Sequence, residues 1–398
     1  MRASRGRPHP VRVAPFHAVL SALCVLVTLV TARAQQAAEL PQIPAIATAV
    51  ERMARELSLE QAGIAVLHDG GELHRSHHGT LAGDTVMPIA SASKWLAVAT
   101  ILSLVDDGVL DLDVPAARYV QELDRDDKRR VTLRQCLRCT SGFPARLGGR
   151  MRGWDTDRFA EAAADTALRQ QPDEAFLYGG VGFQVAATAA ERATGKTFHE
   201  LFLERIAAPL GLRHTQFGAL MPFGAEPGTT ELPWVAGGAV STLDDYARFV
   251  RLLLGKGMFD GKRVLSEAGV AAMLRDQVPP LLVVRSEAMP GVTLRYGLGT
   301  WLEELPNGGL RASDPGAFGF TPWIDLDLGI GGVFAVQDRV RRVLDNLRPV
   351  QQLVRDAVRS PQVAGTVDDV ELRHDGRQRR YHLHVPPHER NTAGLPLL

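Results

Sequence analysis

Polar and apolar positions change their period several times along this chain. From Pro44 to Leu57, apolar residues return every three to four positions, the spacing of an amphipathic helix. In AGIAVLHDGGELHRSHHG the pattern becomes two short runs around Asp69-Gly70-Gly71, which predicts two strands and a tight turn. A nearly unbroken apolar run, WLAVATILSLV, follows Ser91 and Lys94 and predicts a buried helix. From about residue 98 to 275 helical spacing dominates, punctuated by glycine and proline turns. Strand patterns return in RYGLGTWLEEL, GLRASDPGAFGFTPWIDL and GIGGVFAVQD, and RVRRVLDNLRPVQQLVRDAV predicts a closing helix. Strands early and late, with helices between, predict an α+β architecture: an antiparallel β-sheet flanked by helices, with an inserted, mainly helical lobe.

The two ends depart from this pattern. Arg2, Arg5, Arg7 and Arg12 precede an apolar run, Ala18 to Val30, and Ala32-Arg33-Ala34 has small-x-small character. That is the signature of a cleavable signal peptide over residues 1–34, with cleavage near Ala34. The run falls short of the roughly 20 residues a membrane span needs, so no stable membrane insertion is expected after cleavage. Export from a bacterium would make the mature chain periplasmic or secreted. At the other end, residues 361–398 alternate like two strands and stop on an apolar run at Leu398. This extension resembles the opening strands of polyester depolymerase-type α/β-hydrolases, without that family's catalytic apparatus, and reads as the truncated start of another domain. The central domain is expected over 35–360.

Composition adds limits. The chain has 398 residues, 45% hydrophobic and 23% charged, as in ordinary soluble globular proteins. Forty-five basic residues balance 45 acidic ones, so no nucleic-acid partner is expected. Beyond the leader, 40 basic residues face 45 acidic ones, a mildly acidic chain of net charge −5. Two of the three cysteines, Cys136 and Cys139 in RQCLRCTSG, lie outside the leader. They fit either two small buried thiols or, in an exported chain, a disulfide or redox pair. No second CxxC supports a structural zinc site.

Lysine is scarce here, and one of the five, Lys94, opens the apolar helix three residues after Ser91. Positions i and i+3 share a helix face, so the two side chains point the same way. A serine hydroxyl needs a neighbouring base to act as a nucleophile. A lysine desolvated by WLAVATILSLV is expected to have its pKa lowered toward working pH, which suits it to that task. Free N–H groups at the helix start would stabilise an oxyanion. Ser-x-x-Lys is short enough to arise by chance, so its surroundings decide.

Those surroundings resemble the β-lactamase-related serine hydrolases: class C β-lactamases with their esterase and D-amino-peptidase relatives, of penicillin-binding-protein-like fold. PIASASKWLAVATILSLVDDGVLDLDVPAARYV is similar to the family's nucleophile helix, and VTLRQCLRCTSGFP to its TIRQLLSHTSGLP segment. FLYGGVGFQVAATAAERATGKTFHELFLERIAAPLGLRHTQFG is similar to its Tyr-x-Asn region, and VAGGAVSTLDDYARFVRLLLGKGMFDGKRVLSEAGVAAML and YGLGTWLE complete the order over roughly 45–340. The resemblance implies catalysis by Ser91, Lys94 and Tyr178, the tyrosine shuttling a proton between Ser91 and the leaving group. It implies an oxyanion hole of the Ser91 and Ala317 N–H groups. The family's Asn is replaced by Gly180, so Gly179 and Gly180 are expected to open space for substrate. The family's Lys-Thr-Gly or His-x-Gly motif falls on Asp314-Pro315-Gly316, where Gly316 lets substrate lie against a strand. Asp314 reverses the usual charge and either faces the substrate or caps a turn. If it faces the substrate, esters and amides are favoured over β-lactams. Cys139 replaces the histidine of the family's SHTSG segment.

The expected function is therefore an exported serine hydrolase that forms an acyl-serine on an ester, amide or β-lactam bond of a small-molecule or peptide substrate. No cofactor or metal is implied. The alternative is a catalytically impaired member retained as a binding or penicillin-recognising module, consistent with the departures at Gly180 and Asp314. A metallo-hydrolase has little support: His68, His74, His77 and His78 cluster on one hairpin without a His-x-His-x-Asp. No serine stands in the Gly-x-Ser-x-Gly of an elbow-type esterase.

Overall fold

The computed structural model describes residues 43–148, 151, 153–218, 232–278, 283–284, 295–306, 308–359, 366–374 and 377–384. The proposed leader over 1–34 lies outside the described residues.

Both ends of the central domain build one six-stranded antiparallel sheet. Its strands are β1 (Gln61–His68), β2 (Gly71–Gly79), β3 (Trp301–Glu304), β4 (Leu310–Ser313), β5 (Thr321–Asp325) and β6 (Ile330–Val336), in spatial order β3-β4-β5-β6-β1-β2. The β1–β2 turn uses Asp69 (φ 50°) and Gly70 (φ 77°), the two left-handed residues that a two-residue hairpin loop requires. The sheet closes where β1 meets β6, with Ile64 opposite Phe334 and Ala65 opposite Val333.

Successive strand side chains point to opposite faces, and β1 shows the consequence. Ile64 and Val66 pack on α1 (Pro44–Glu56) and α5 (Val340–Arg359), while Ala65 and Leu67 join the core on the other face. Helix α1 starts at a proline, pre-set for a first turn, and buries Ile46, Ala49, Val50 and Met53 along one stripe. Helix α5 buries Val343, Leu347, Val350 and Val354 against the same face. Each such side chain contributes about 1.5–3 kcal/mol relative to exposure. On the opposite face lie α2 (Ser93–Asp106), α3 (Val181–Thr194), α4 (Leu243–Leu254) and the rest of the helical lobe. The expected inserted helical lobe is thus present between β2 and β3.

A buried ionic network fastens the sheet to α5. Arg311 donates to both oxygens of Asp325 at 2.6 and 3.0 Å and to Gln351 at 2.6 Å. Arg355 lies 3.2 Å from Asp325 and also donates to both oxygens of Asp327.

The strands expected in the C-terminal extension form a hairpin, Thr366–His374 with Arg377–His384, which among the described residues pairs only with itself. The histidine cluster lies on β1 and β2, with His74 buried and hydrogen-bonded to Ser76.

Candidate active site

Ser91 sits in a 3₁₀ turn, Ala90–Ala92, immediately ahead of α2. The turn is held from three sides. Ile89 N–H donates to Ala239 O at 3.1 Å. Ser93 Oγ donates to Ala90 O at 2.6 Å and accepts from Ala239 N–H at 3.0 Å. The Tyr246 hydroxyl, on α4, donates to Ala92 O at 2.6 Å. Ala90 has φ 45°, a left-handed conformation that costs a non-glycine residue on the order of 1–3 kcal/mol, and these bonds hold it there. The strained turn leaves Ser91 partly exposed at the start of a buried helix.

Lys94, one turn on, is buried at 3% exposure. Its Nζ donates to Ser91 Oγ at 3.1 Å and to Ala236 O at 2.7 Å. It also lies 4.8 Å from the Tyr178 ring centroid and 5.4 Å from that of Phe183. The expectation of a lowered lysine pKa is corrected here. Burial does push the ammonium down, but the facing Tyr178 and Asp314, when ionised, outweigh it, and the pKa is raised. Apolar burial could not act alone, because the sequence pattern around Lys94 hides acidic partners contributed from distant segments.

Tyr178 follows the short strand Ala175–Phe176 and precedes α3, with its ring against Trp301 and Tyr296 at 5.0 and 6.2 Å between centroids. Desolvation raises its pKa. The charge of Lys94 and hydrogen bonding from Ser91 and Lys94 oppose that rise without reversing it. Lys94 and Tyr178 thus act on each other's titration through their charges, and Asp314, when ionised, acts on both.

Gly316 explains how the far strand reaches the nucleophile. A Cβ there would stand 2.1 Å from Ile89 O, so only glycine lets the β4–β5 connection lie against the Ser91 turn. Gly316 N–H donates to Phe320 O and Gly319 N–H to Gly316 O, both at 2.8 Å, fixing the loop that presents Ala317. The Ser91 amide lies in the first turn of a helix, where N–H groups have no intrahelical acceptor. The Ala317 amide donates to no acceptor among the described residues.

Two other expectations change. Gly180 does not open space: a Cβ there would meet the Trp234 indole at 2.2 Å, so the ring occupies the volume a side chain would fill. Gly179 is pressed against Ala145 in the same way, at 2.3 Å. Asp314 neither lines the cavity nor lies at an exposed turn; it is fully buried. Burial raises its carboxyl pKa well above the ordinary range, although Lys94 pulls the other way. With Asp314 buried away from the cavity walls, its charge gives no ground for preferring neutral esters and amides.

The cavity, of about 280 Å³, is walled by Ser91, Lys94, Tyr178, Gly180 and Ala317, all expected from the sequence. Trp234, Ala236, Arg146 and Phe318 are among its other lining residues and were not anticipated. A visible signal existed for Arg146, three positions after the CTSG segment's Phe143, and for Trp234, just before VAGG. Cys136 and Cys139 are free and buried, the Cys139 thiol pushed up to about 11 by burial. The two-thiol alternative is the one observed.

A family model described as Beta-lactamase matches residues 46–355. The chain is similar to penicillin-binding protein 4 of Amycolatopsis lactamdurans, 30% identical over 294 residues that cover 65% of this chain and 76% of that protein. It is 25% identical over 271 residues to the D-alanyl-D-alanine-carboxypeptidase/endopeptidase AmpH of Escherichia coli K12, covering 61% of this chain and 69% of that one. A candidate beta-lactamase from Bacteroides dorei DSM 17855 superposes with TM-score 0.66 at 28% identity, over 77% of this chain and 97% of its own.

Proposed function

The chain belongs to the beta-lactamase family of serine hydrolases, and from that premise we propose that it cleaves an amide, ester or β-lactam bond through an acyl-Ser91 intermediate. The observation that carries this reading is the 3.1 Å hydrogen bond from Lys94 Nζ to Ser91 Oγ, made on a cavity wall shared with Tyr178.

In the proposed reaction Ser91 Oγ attacks the carbonyl carbon while its proton passes to the coupled Lys94–Tyr178 pair. The carbonyl oxygen becomes an oxyanion held by the Ser91 and Ala317 N–H groups. The pair then returns the proton to the leaving nitrogen or oxygen as the carbonyl–heteroatom bond breaks. Water attacks the acyl-Ser91 ester, losing its proton to the same pair, and the acid is released with Ser91 regenerated. Lys94 contributes chiefly as a cation that favours ionised tyrosine, and Tyr178 as the group next to Ser91 that carries the proton.

Penicillin-binding protein 4 and AmpH, by their names, suggest penicillins and D-alanyl peptides as first substrates to assay. Export is part of the proposal. It is supported by the basic and apolar pattern of residues 1–34. Among the described residues no helix is long and apolar enough to cross a membrane. N-terminal sequencing of the mature protein should begin at Gln35; retention of Met1 would remove the leader from the account.

Fluorophosphonate labelling tests the nucleophile. Wild type should label stoichiometrically and Ser91→Ala not at all. Ser91→Ala turnover within about tenfold of wild type, roughly 1.4 kcal/mol in barrier, would exclude Ser91 as nucleophile.

A further inference from the structure

Among the described residues two cationic side chains line the cavity, and they differ in what they already hold. Lys94 is committed to Ser91 and to the Ala236 carbonyl. Arg146, on the wall formed with Ala145, Gly179 and Gly180, is exposed and has no hydrogen bond or ion pair among the described residues. Its backbone is fixed all the same. Gly180 N–H donates to Ala145 O at 2.9 Å, and Gly179 packs on Ala145 with no room for a side chain.

Arg146 and Ala145 also line a neighbouring groove of about 570 Å³, together with Pro144, Arg169, Gln170 and Leu177. Arg169 is a second exposed guanidinium with no side-chain partner among the described residues, its own N–H tied to Gly142 O at 2.8 Å. The two spaces share a wall, so a substrate seated at Ser91 can run past Arg146 toward Arg169. Among the described residues no carboxylate side chain lines either space. An unpaired guanidinium on a fixed loop offers a planar fork of N–H donors that matches a carboxylate.

We infer that Arg146, backed by Arg169, forms an anion subsite beside the nucleophile and selects substrates carrying a carboxylate several bonds from the scissile carbonyl. This deepens the acyl-serine reading and rests on it. It places the charge-reading group on the 144–146 loop and leaves the buried Asp314 no part in binding.

The test compares an ester pair that differs only in that charge, 4-nitrophenyl hydrogen adipate and 4-nitrophenyl hexanoate, corrected for spontaneous hydrolysis. Wild type should favour the adipate in kcat/KM on the order of tenfold, about 1.4 kcal/mol, with the difference mainly in KM and eroded by added salt. Arg146→Gln should collapse the ratio toward one, and Arg146→Lys should keep part of it. A wild-type ratio near one, or equal losses on both esters in Arg146→Gln, overturns the subsite. If neither ester is hydrolysed and Ser91 carries no adduct, the acyl-serine reading fails. Calorimetric titration of adipate itself then decides the subsite, and equal binding by wild type and Arg146→Gln overturns it.

Discussion

Lys94 illustrates what a residue inherits from its neighbours. Its spacing from Ser91 was legible in sequence because i and i+3 share a helix face. Its protonation was not, because Tyr178 and Asp314 arrive from segments far along the chain. Both Lys94 and Tyr178 titrate above their ordinary values, so the base form of the pair appears only as pH rises into the alkaline range. We expect kcat/KM on a neutral aryl ester to climb between about pH 6.5 and 9.5, by up to about tenfold per unit. Tyr178→Phe should lower the rate on the order of 10²–10⁴-fold. A plateau reached below pH 7 would contradict the ordering of these groups. Asp314 supplies a second check. Its raised pKa means the folded chain binds a proton that the unfolded chain has released, so stability falls as pH rises from the ordinary carboxylate value through the raised one. Asp314→Asn removes that loss. Its melting temperature should gain on wild type as pH goes from 4 to 8. A variant that loses ground over that range would mean that folding lowers the Asp314 pKa instead of raising it.

At the scale of elements, the hairpins and long helices followed from periodicity, since Asp69-Gly70 and the stripes of α1 and α5 are local signals. The meeting of the β4–β5 connection with the Ser91 turn is a long-range event, and periodicity carries no trace of it. The chain marks it only by a glycine, at position 316. Gly316→Ala would place a Cβ 2.1 Å from Ile89 O and push the Ala317 amide away from the nucleophile. Turnover should fall on the order of 10²–10³-fold, the cost of losing one oxyanion donor. Circular dichroism and thermal melts should show the variant still folded. Unchanged turnover would mean that the Ala317 amide is not part of the oxyanion hole. Trp234 over Gly180 was equally hidden. Removing a side chain reads as opened space in one dimension, yet close packing lets another segment fill it.

Across the whole molecule, α+β class and the inserted lobe could be read from the order of strand and helix patterns. Closure of the sheet between β1 and β6 could not, because apolar runs do not name their partners. Asp325 sits at that scale, joining two sheet strands to the closing helix through Arg311 and Arg355. Asp325→Ala leaves the buried Arg311 without a carboxylate partner and Arg355 with Asp327 alone, and should cost about 3–5 kcal/mol in denaturant unfolding. A loss below about 1 kcal/mol would show that water or Asp327 compensates.

The central claim is chemical: one serine, Ser91, carries the acyl group. Its most direct measurement is intact-protein mass spectrometry on samples quenched during turnover of a slowly deacylating ester or penicillin, followed by peptide mapping. A single acyl mass increment should appear on the peptide that contains Ser91, building up before steady state and absent from Ser91→Ala. Turnover that proceeds without any covalent adduct, or an adduct on another residue that persists in Ser91→Ala, would contradict it.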